Sequence, residues 1–323
     1  MWHHDLMWHY KMRYVMKQVF LVILLAFGFV AGAQNVTVRK PKKQKPATTH
    51  VTPKKERASK QREVQSRKGK ADGHSKKAKV DISPTIGKAN YAPNVKTFYA
   101  NGVSFEMVEV RGGTFRMGAT SEQGSDAWND EKPVHSVTLS SYYIGKTEVT
   151  QALWKAVMGS NPSNFRGDNL PVECVSWNDC QAFIRKLNAL TGQNFRLPAE
   201  AEWEFACRGG NNSRGYKYSG SNYIDNVAWY DGNSGDKTLP VGTKAPNELG
   251  IYDMSGNVWE WCADWYGDYS SGAQTNPTGP YGGSGRVGRG GSWDFNVRIC
   301  RSSLRIHSDP TDRNINLGLR LAL

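Results

Sequence analysis

Histidine is scarce in this chain: of seven, only His135 and His307 lie beyond residue 90. A mononuclear iron centre draws on two or three imidazoles, so non-haem iron chemistry lacks its ligands there. Cysteine numbers five, at positions 174, 180, 207, 262 and 300, with no Cys-x-x-Cys spacing. That removes zinc-ribbon and thioredoxin-type sites. No Ser-His-Asp arrangement, phosphate-binding glycine loop or paired-carboxylate motif stands out, so the common hydrolase and nucleotide-binding classes have no anchor. Apolar runs are short as well. The run from Val19 to Val30 falls below the ~20 residues of a bilayer span.

What is abundant is positive charge, and it is unevenly placed. Residues 35–90 hold 17 Lys and Arg against four Asp and Glu, whereas residues 91–323 hold 22 against 24. The net charge of +13 therefore belongs to a segment, and a nucleic-acid reading of the remainder is excluded. That segment is Lys, Arg, Pro, Thr and Ser with almost no aromatics, a composition unable to bury enough apolar surface to offset the entropy of ordering. Ahead of it, Lys17, the apolar run and Ala31-Gly32-Ala33 form the pattern of a cleaved signal peptide. The expected organisation is a signal peptide at 1–33, with Met16 as an alternative start, a basic disordered linker at 34–95 and one folded domain at 96–323. Export to the periplasm, cell surface or medium follows as the expected localisation. The linker is expected to act as a spacer or to contact anionic surfaces.

Along the domain, alternating apolar residues at Val103–Val110 predict a strand, turning at Gly112-Gly113 into Thr114–Met117 as a hairpin. Further strand is expected at Val134–Leu139 and Tyr142–Ile144. Thr150 can cap a helix running to Met158. Ser176-Trp177-Asn178-Asp179 fits a capping box, and Phe183, Ile184, Leu187 and Leu190 recur at helical spacing until Gly192. A helix follows Pro198, its Glu200, Glu202 and Glu204 read as a solvated face. The stretches 209–250 and 266–286 are rich in Gly, Asn, Ser and Tyr. The second reads as a surface loop without secondary structure, and the first is long enough to need something besides a hydrophobic core, such as a cation.

Two stretches carry the strongest signal: GIYDMSGNVWEWCAD at 250–264 and RVGRGGSWDFNVRIC at 286–300. With EMVEVRGGTFRMG at 106–118, GKTEVTQALW at 145–154, PVECVSWNDC at 171–180, RLPAEAEWEFACRGG at 196–210 and NLGLRLAL at 316–323, the chain resembles the formylglycine-generating enzyme (sulfatase-modifying factor) family. The resemblance implies an α+β fold, a loop-rich variant of the C-type lectin fold with short strands and a few helices.

It also implies sites. Catalytic members hold copper between two cysteines and use oxygen to oxidise a client sulfatase cysteine to formylglycine. The second cysteine position is Cys300 here, the first is Phe295, and Ser292 and Trp259 match other pocket residues. Two calcium sites carry over. One falls on Asp253, the carbonyls of Gly256 and Val258, and Glu260, where a carboxylate between two tryptophans calls for a counter-charge. The other falls on Asn226, Asn233 and the carbonyls of Val227 and Gly235; the alternative is that these residues close turns. Cys207 matches a family disulfide position whose partner position is Arg305. Among the thiols, Cys262 with Cys300 and Cys174 with Cys180 are competing pairs. The ligand-facing segment of the fold maps to Asp294, Phe295, Asn296, Arg298, Arg301, Arg305 and His307, with an ordinary charged surface as the alternative.

Three functions stay open. One is a non-catalytic or divergent binding or scaffold module for a protein or glycan of the cell envelope. Another is a formylglycine-generating oxidase acting on an exported sulfatase. The last is a diversified ligand-display protein, as some relatives are. Phe295 favours the first.

Overall fold

The structure, a computed structural model, describes residues 93–323. The signal-peptide and linker expectations lie outside these residues, apart from the last three positions of the linker. Strand β1 (Val95–Ala100) pairs antiparallel with β2 (Val103–Val110), and β2 with β5 (Tyr142–Gly145) on its other edge. A second sheet pairs β3 (Gly113–Met117) with β4 (His135–Leu139) and the two-residue β7 (Gln274–Thr275). The third runs in the order β10 (Leu317–Leu319), β6 (Trp259–Trp265), β8 (Arg286–Arg289), β9 (Arg305–Ser308).

The expected hairpin between 103–110 and 114–117 does not form. Strand β2 has both edges occupied, so β3 passes into a different sheet. Nor is 266–286 wholly irregular, since Val137 and Thr138 pair with Gln274 and Thr275.

Helix α1 (Gln151–Met158) is capped by Thr150, whose side chain accepts from the Leu153 N–H. Helix α2 (Trp177–Thr191) begins on the expected capping box and ends at Gly192 with φ of 68°. Helix α3 (Glu200–Cys207) is buried on nearly every side, and the brief α4 (Ile224–Val227) sits within the long 209–250 stretch. The chain end ties separate parts together: Tyr143 and Leu323 exchange two backbone bonds, and Arg196 and Ala322 exchange two more.

The main core gathers Val108, Val110, Val137 and Ile144 with Trp203, Phe205, Ile251, Met254 and Cys262. A smaller cluster of Tyr218, Ile224, Val227, Ala228 and Cys300 holds the 209–250 stretch from within. Asn247 locks that stretch further. Its amide donates to the carbonyl of Ala206 and to Ser219, while its oxygen accepts from the Leu249 and Ile251 N–H groups.

Candidate functional site

The segment before Cys300 folds tightly because two glycines lead into it. Gly291 has φ of 77°, and a Cβ there would come 2.8 Å from the Cys300 sulfur. Only glycine admits so close an approach in that conformation. Ser292 then donates to Asp294 Oδ1 at 2.7 Å, and the Asn316 amide donates to both Asp294 oxygens at 3.0 Å. Burial raises the Asp294 carboxyl above its ordinary value, and these hydrogen bonds oppose the rise. The Phe295 carbonyl accepts from the Asp231 N–H at 3.1 Å. The Phe295 ring is buried and meets Trp259 edge-on, centroids 5.6 Å apart.

Cys300 is fully buried in the smaller cluster, its thiol directed weakly at the Asn296 carbonyl. Burial pushes this thiol well up, and the Asp231 and Asp294 charges push it further. A thiolate is thereby disfavoured. The structure thus brings Ser292, Trp259, Phe295 and Cys300 into one neighbourhood, but its donor set does not fit copper. Position 295 presents a ring with no ligating atom, and the remaining sulfur is held as a thiol.

All five thiols are free. The expected pairing of Cys262 with Cys300 is absent because the two sulfurs belong to different clusters. Cys174, at φ of 60°, does not pair with the buried Cys180 either. The position facing Cys207 in the family carries Arg305, and here that side chain serves another purpose.

The segment expected to face ligand divides in two. Asn296, Val297 and Arg298 form an exposed lip, with Arg298 Nε 3.1 Å from Asp126. Arg301 and Arg305 are instead inside the protein. Arg301 makes a two-pronged contact with Glu131 at 2.6 and 2.7 Å, and Ser303 donates to the same carboxylate. Arg305 grips Glu200 with Nε at 2.8 Å and Nη2 at 2.7 Å. His307 is half-buried against Tyr266, ring centres 4.6 Å apart.

The glutamates of α3 correct a further expectation. Glu200 and Glu204 are buried, not solvated. Glu204 pairs with Arg289 and with Arg208, and Glu200 with Arg305 and Arg289. Removed from water, these carboxylates need the guanidinium forks that face them.

Around the Trp-Glu-Trp strand the charge balance differs. Glu260 needs no cation to be compensated, since Arg320 contacts it through Nε at 2.9 Å and Nη2 at 2.6 Å, and Trp203 donates at 2.6 Å. Yet Glu148 and Asp253 are buried beside the same guanidinium. Burial, then Asp253 and Glu260, drive the Glu148 carboxyl well above its usual range. Asp253, at φ of 59°, accepts from the Gly242 N–H at 2.6 Å through Oδ2. Its Oδ1 is buried without a partner, and burial pushes the carboxyl up to about 6. Glu148 accepts from Asn257 and the Val258 N–H, so Asp253 Oδ1 is the side-chain oxygen here that could meet a hard cation. No three His, Cys, Asp or Glu side chains converge on a metal point among the described residues, so backbone carbonyls would have to supply the remaining ligands.

At the other expected calcium position the side chains and carbonyls make local bonds. The Asn233 oxygen accepts from the Tyr230 N–H at 3.0 Å, and its amide donates to the Ala228 carbonyl at 3.1 Å. The Asn226 carbonyl accepts from the Ala245 N–H, Val227 is packed in the smaller cluster, and Gly235 turns the chain with φ of 67°.

The arginine–glutamate pairs and Glu148 were not foreseen. A signal existed in the acids and arginines flanked by apolar residues, as in WEW at 259–261 and LRL at 319–321, where a charge cannot point to water from a buried strand.

Residues 94–323 match the sulfatase-modifying factor enzyme 1-like domain, and the chain belongs to this family. Chaperone protein LppX of Paenibacillus barcinonensis is 36% identical over 68% of this chain and 89% of its own length. The formylglycine-generating enzyme of Streptomyces coelicolor is 32% identical over 67% and 88%. Among solved structures, Treponema denticola variable protein 1 is 36% identical with a TM-score of 0.64, covering 72% of this chain and 99% of that one. PvdO from Pseudomonas aeruginosa is 28% identical with a TM-score of 0.58, covering 70% and 97%. The fold is therefore the C-type-lectin-like α+β fold of this family.

Proposed function

We propose that this protein is a non-catalytic member of its family, a binding or scaffold module of the cell envelope that recognises a protein or glycan with the surface around the exposed Asn296–Arg298 lip. The observation that carries this reading is Phe295, buried against Trp259 at the position of the missing thiol. Cys300 supports it, being buried and held protonated. One relative, at 36% identity, bears the name of a chaperone, which fits a role exercised through binding.

The test is Cu(I) retention by the purified protein against a competing Cu(I) chelator. The protein is expected to hold no more copper than its Cys300→Ser variant. A one-to-one complex that survives the competitor and vanishes in that variant would contradict the reading. Calcium belongs to the proposal as a structural ion, held by Asp253 Oδ1 with the carbonyls of Gly256 and Val258. The buried unpartnered oxygen supports it.

A further inference from the structure

Away from Cys300, the loop 266–280 covers a cleft of about 560 Å³ whose inner wall is made by the start of α3, the end of β6, and β4 and β9. Its lining includes Asp264, His135, Glu200, Tyr269 and Arg305, with the exposed Asp268 at the rim. Asp264 is 4% exposed and His135 2%, and both line the cleft.

The donors on this wall are already committed inward. Arg305 directs Nε and Nη2 to Glu200, and Nη1 to the carbonyl of Gly267 at 2.8 Å. Tyr269 donates its hydroxyl to Glu200 at 3.2 Å. Asp264 uses Oδ2 to accept the first N–H of α3 at 2.8 Å, and its Oδ1 accepts no hydrogen bond among the described residues. His135 Nδ1 stands 3.0 Å from the Pro133 carbonyl, which can only accept, so Nδ1 donates and this donor too is spent within the protein. The acceptor left over in the cleft is therefore Asp264 Oδ1. Its carboxylates outnumber its one guanidinium, which Glu200 already neutralises.

We infer that this cleft binds a primary ammonium group, either of a small free amine or of a lysine side chain, with Asp264 Oδ1 as its main acceptor and Asp268 drawing it to the mouth. An alkylammonium brings three donors, no acceptor and one positive charge, which is the complement of this wall. Binding is coupled to protons. Burial pushes the Asp264 carboxyl up to about 7, with Glu200 and Glu202 adding to the rise and Arg305 and the Glu200 N–H opposing it. The groups around it are those carboxylates, Arg305, Arg286 from β8, Arg196 from the segment before α3, His135, Tyr269 and Asp268. An ammonium meets a carboxylate above that point and a neutral acid below it.

The experiment is calorimetric titration of the full chain at pH 8 with three probes: 1,5-diaminopentane, the peptide N-acetyl-Gly-Lys-Gly-amide, and neutral N-acetylglucosamine. At least one amine is expected to saturate at one site, and which of the two does so identifies the source of the ammonium. Asp264→Asn keeps an oxygen for the α3 N–H and is expected to weaken amine binding at least tenfold. Asp268→Asn, exposed and harmless to folding, is expected to weaken it a few-fold. Affinity of the unaltered protein should fall toward tenfold per unit as pH drops below 7. Failure of both amines to saturate, a pH-independent affinity, unchanged binding in the folded Asp264→Asn variant, or tighter binding of the sugar would each overturn the inference. If Asp264→Asn does not fold, an unchanged affinity in Asp268→Asn overturns it.

Discussion

Phe295 packs its ring edge-on against Trp259 beside the buried Cys300, where a ligating side chain would be needed to hold a metal. Its identity was legible in the sequence once the motif around it was placed, because a phenyl ring has no lone pair to offer wherever it points. The fate of the charged residues was not legible in the same way. Arg301 looks like surface in a polar stretch, yet it lies 170 positions from its partner Glu131, and nothing local announces that pairing. Replacing Arg301 by Met leaves the Glu131 carboxylate buried without a counter-charge. The expected loss is about 3–5 kcal/mol of unfolding free energy. Chemical denaturation would measure it, and a loss below about 1 kcal/mol would show that Glu131 finds water or another partner.

At the scale of elements, helix ends were read correctly where the signal was chemical and local. Thr150 caps α1, and Ser176 with Asp179 forms the reciprocal box at α2. Ser176→Ala removes the oxygen that accepts the Asp179 N–H at 3.1 Å, and stability should fall by about 1 kcal/mol, seen as a lower denaturation midpoint with an unchanged slope. No change would mean that the Asp179–Arg313 pair holds the helix start by itself. Strand partners are not legible locally, because pairing depends on which edges remain free. Glycines at 112 and 113 suit a tight turn, but β2 is already flanked by β1 and β5. The α3 glutamates were misread for a related reason. Their alternation with Trp203 and Phe205 resembles a solvated face, whereas the helix is enclosed by strands that bring Arg289 and Arg305 to it.

Across the described residues buried arginine–glutamate pairs join distant elements, and the carboxyl oxygen left without a partner among the buried acids beside Arg320 is Asp253 Oδ1. If a calcium ion is held there, it binds only the folded form and stabilises it by mass action, about 2.7 kcal/mol at a hundredfold excess over the dissociation constant. Chelation should lower the melting temperature of the protein, and Asp253→Ala should remove that response. An identical melting temperature with and without chelator would end the calcium reading.

The proposed non-catalytic role means that the domain keeps the family fold without the family oxidation. The direct measurement is incubation of the purified protein with Cu(I), oxygen and a peptide bearing the sulfatase Cys-x-Pro-x-Arg motif, followed by mass spectrometry for the aldehyde. The peptide cysteine is expected to stay unmodified; multiple turnovers to formylglycine, abolished by Cys300→Ser, would contradict the non-catalytic reading.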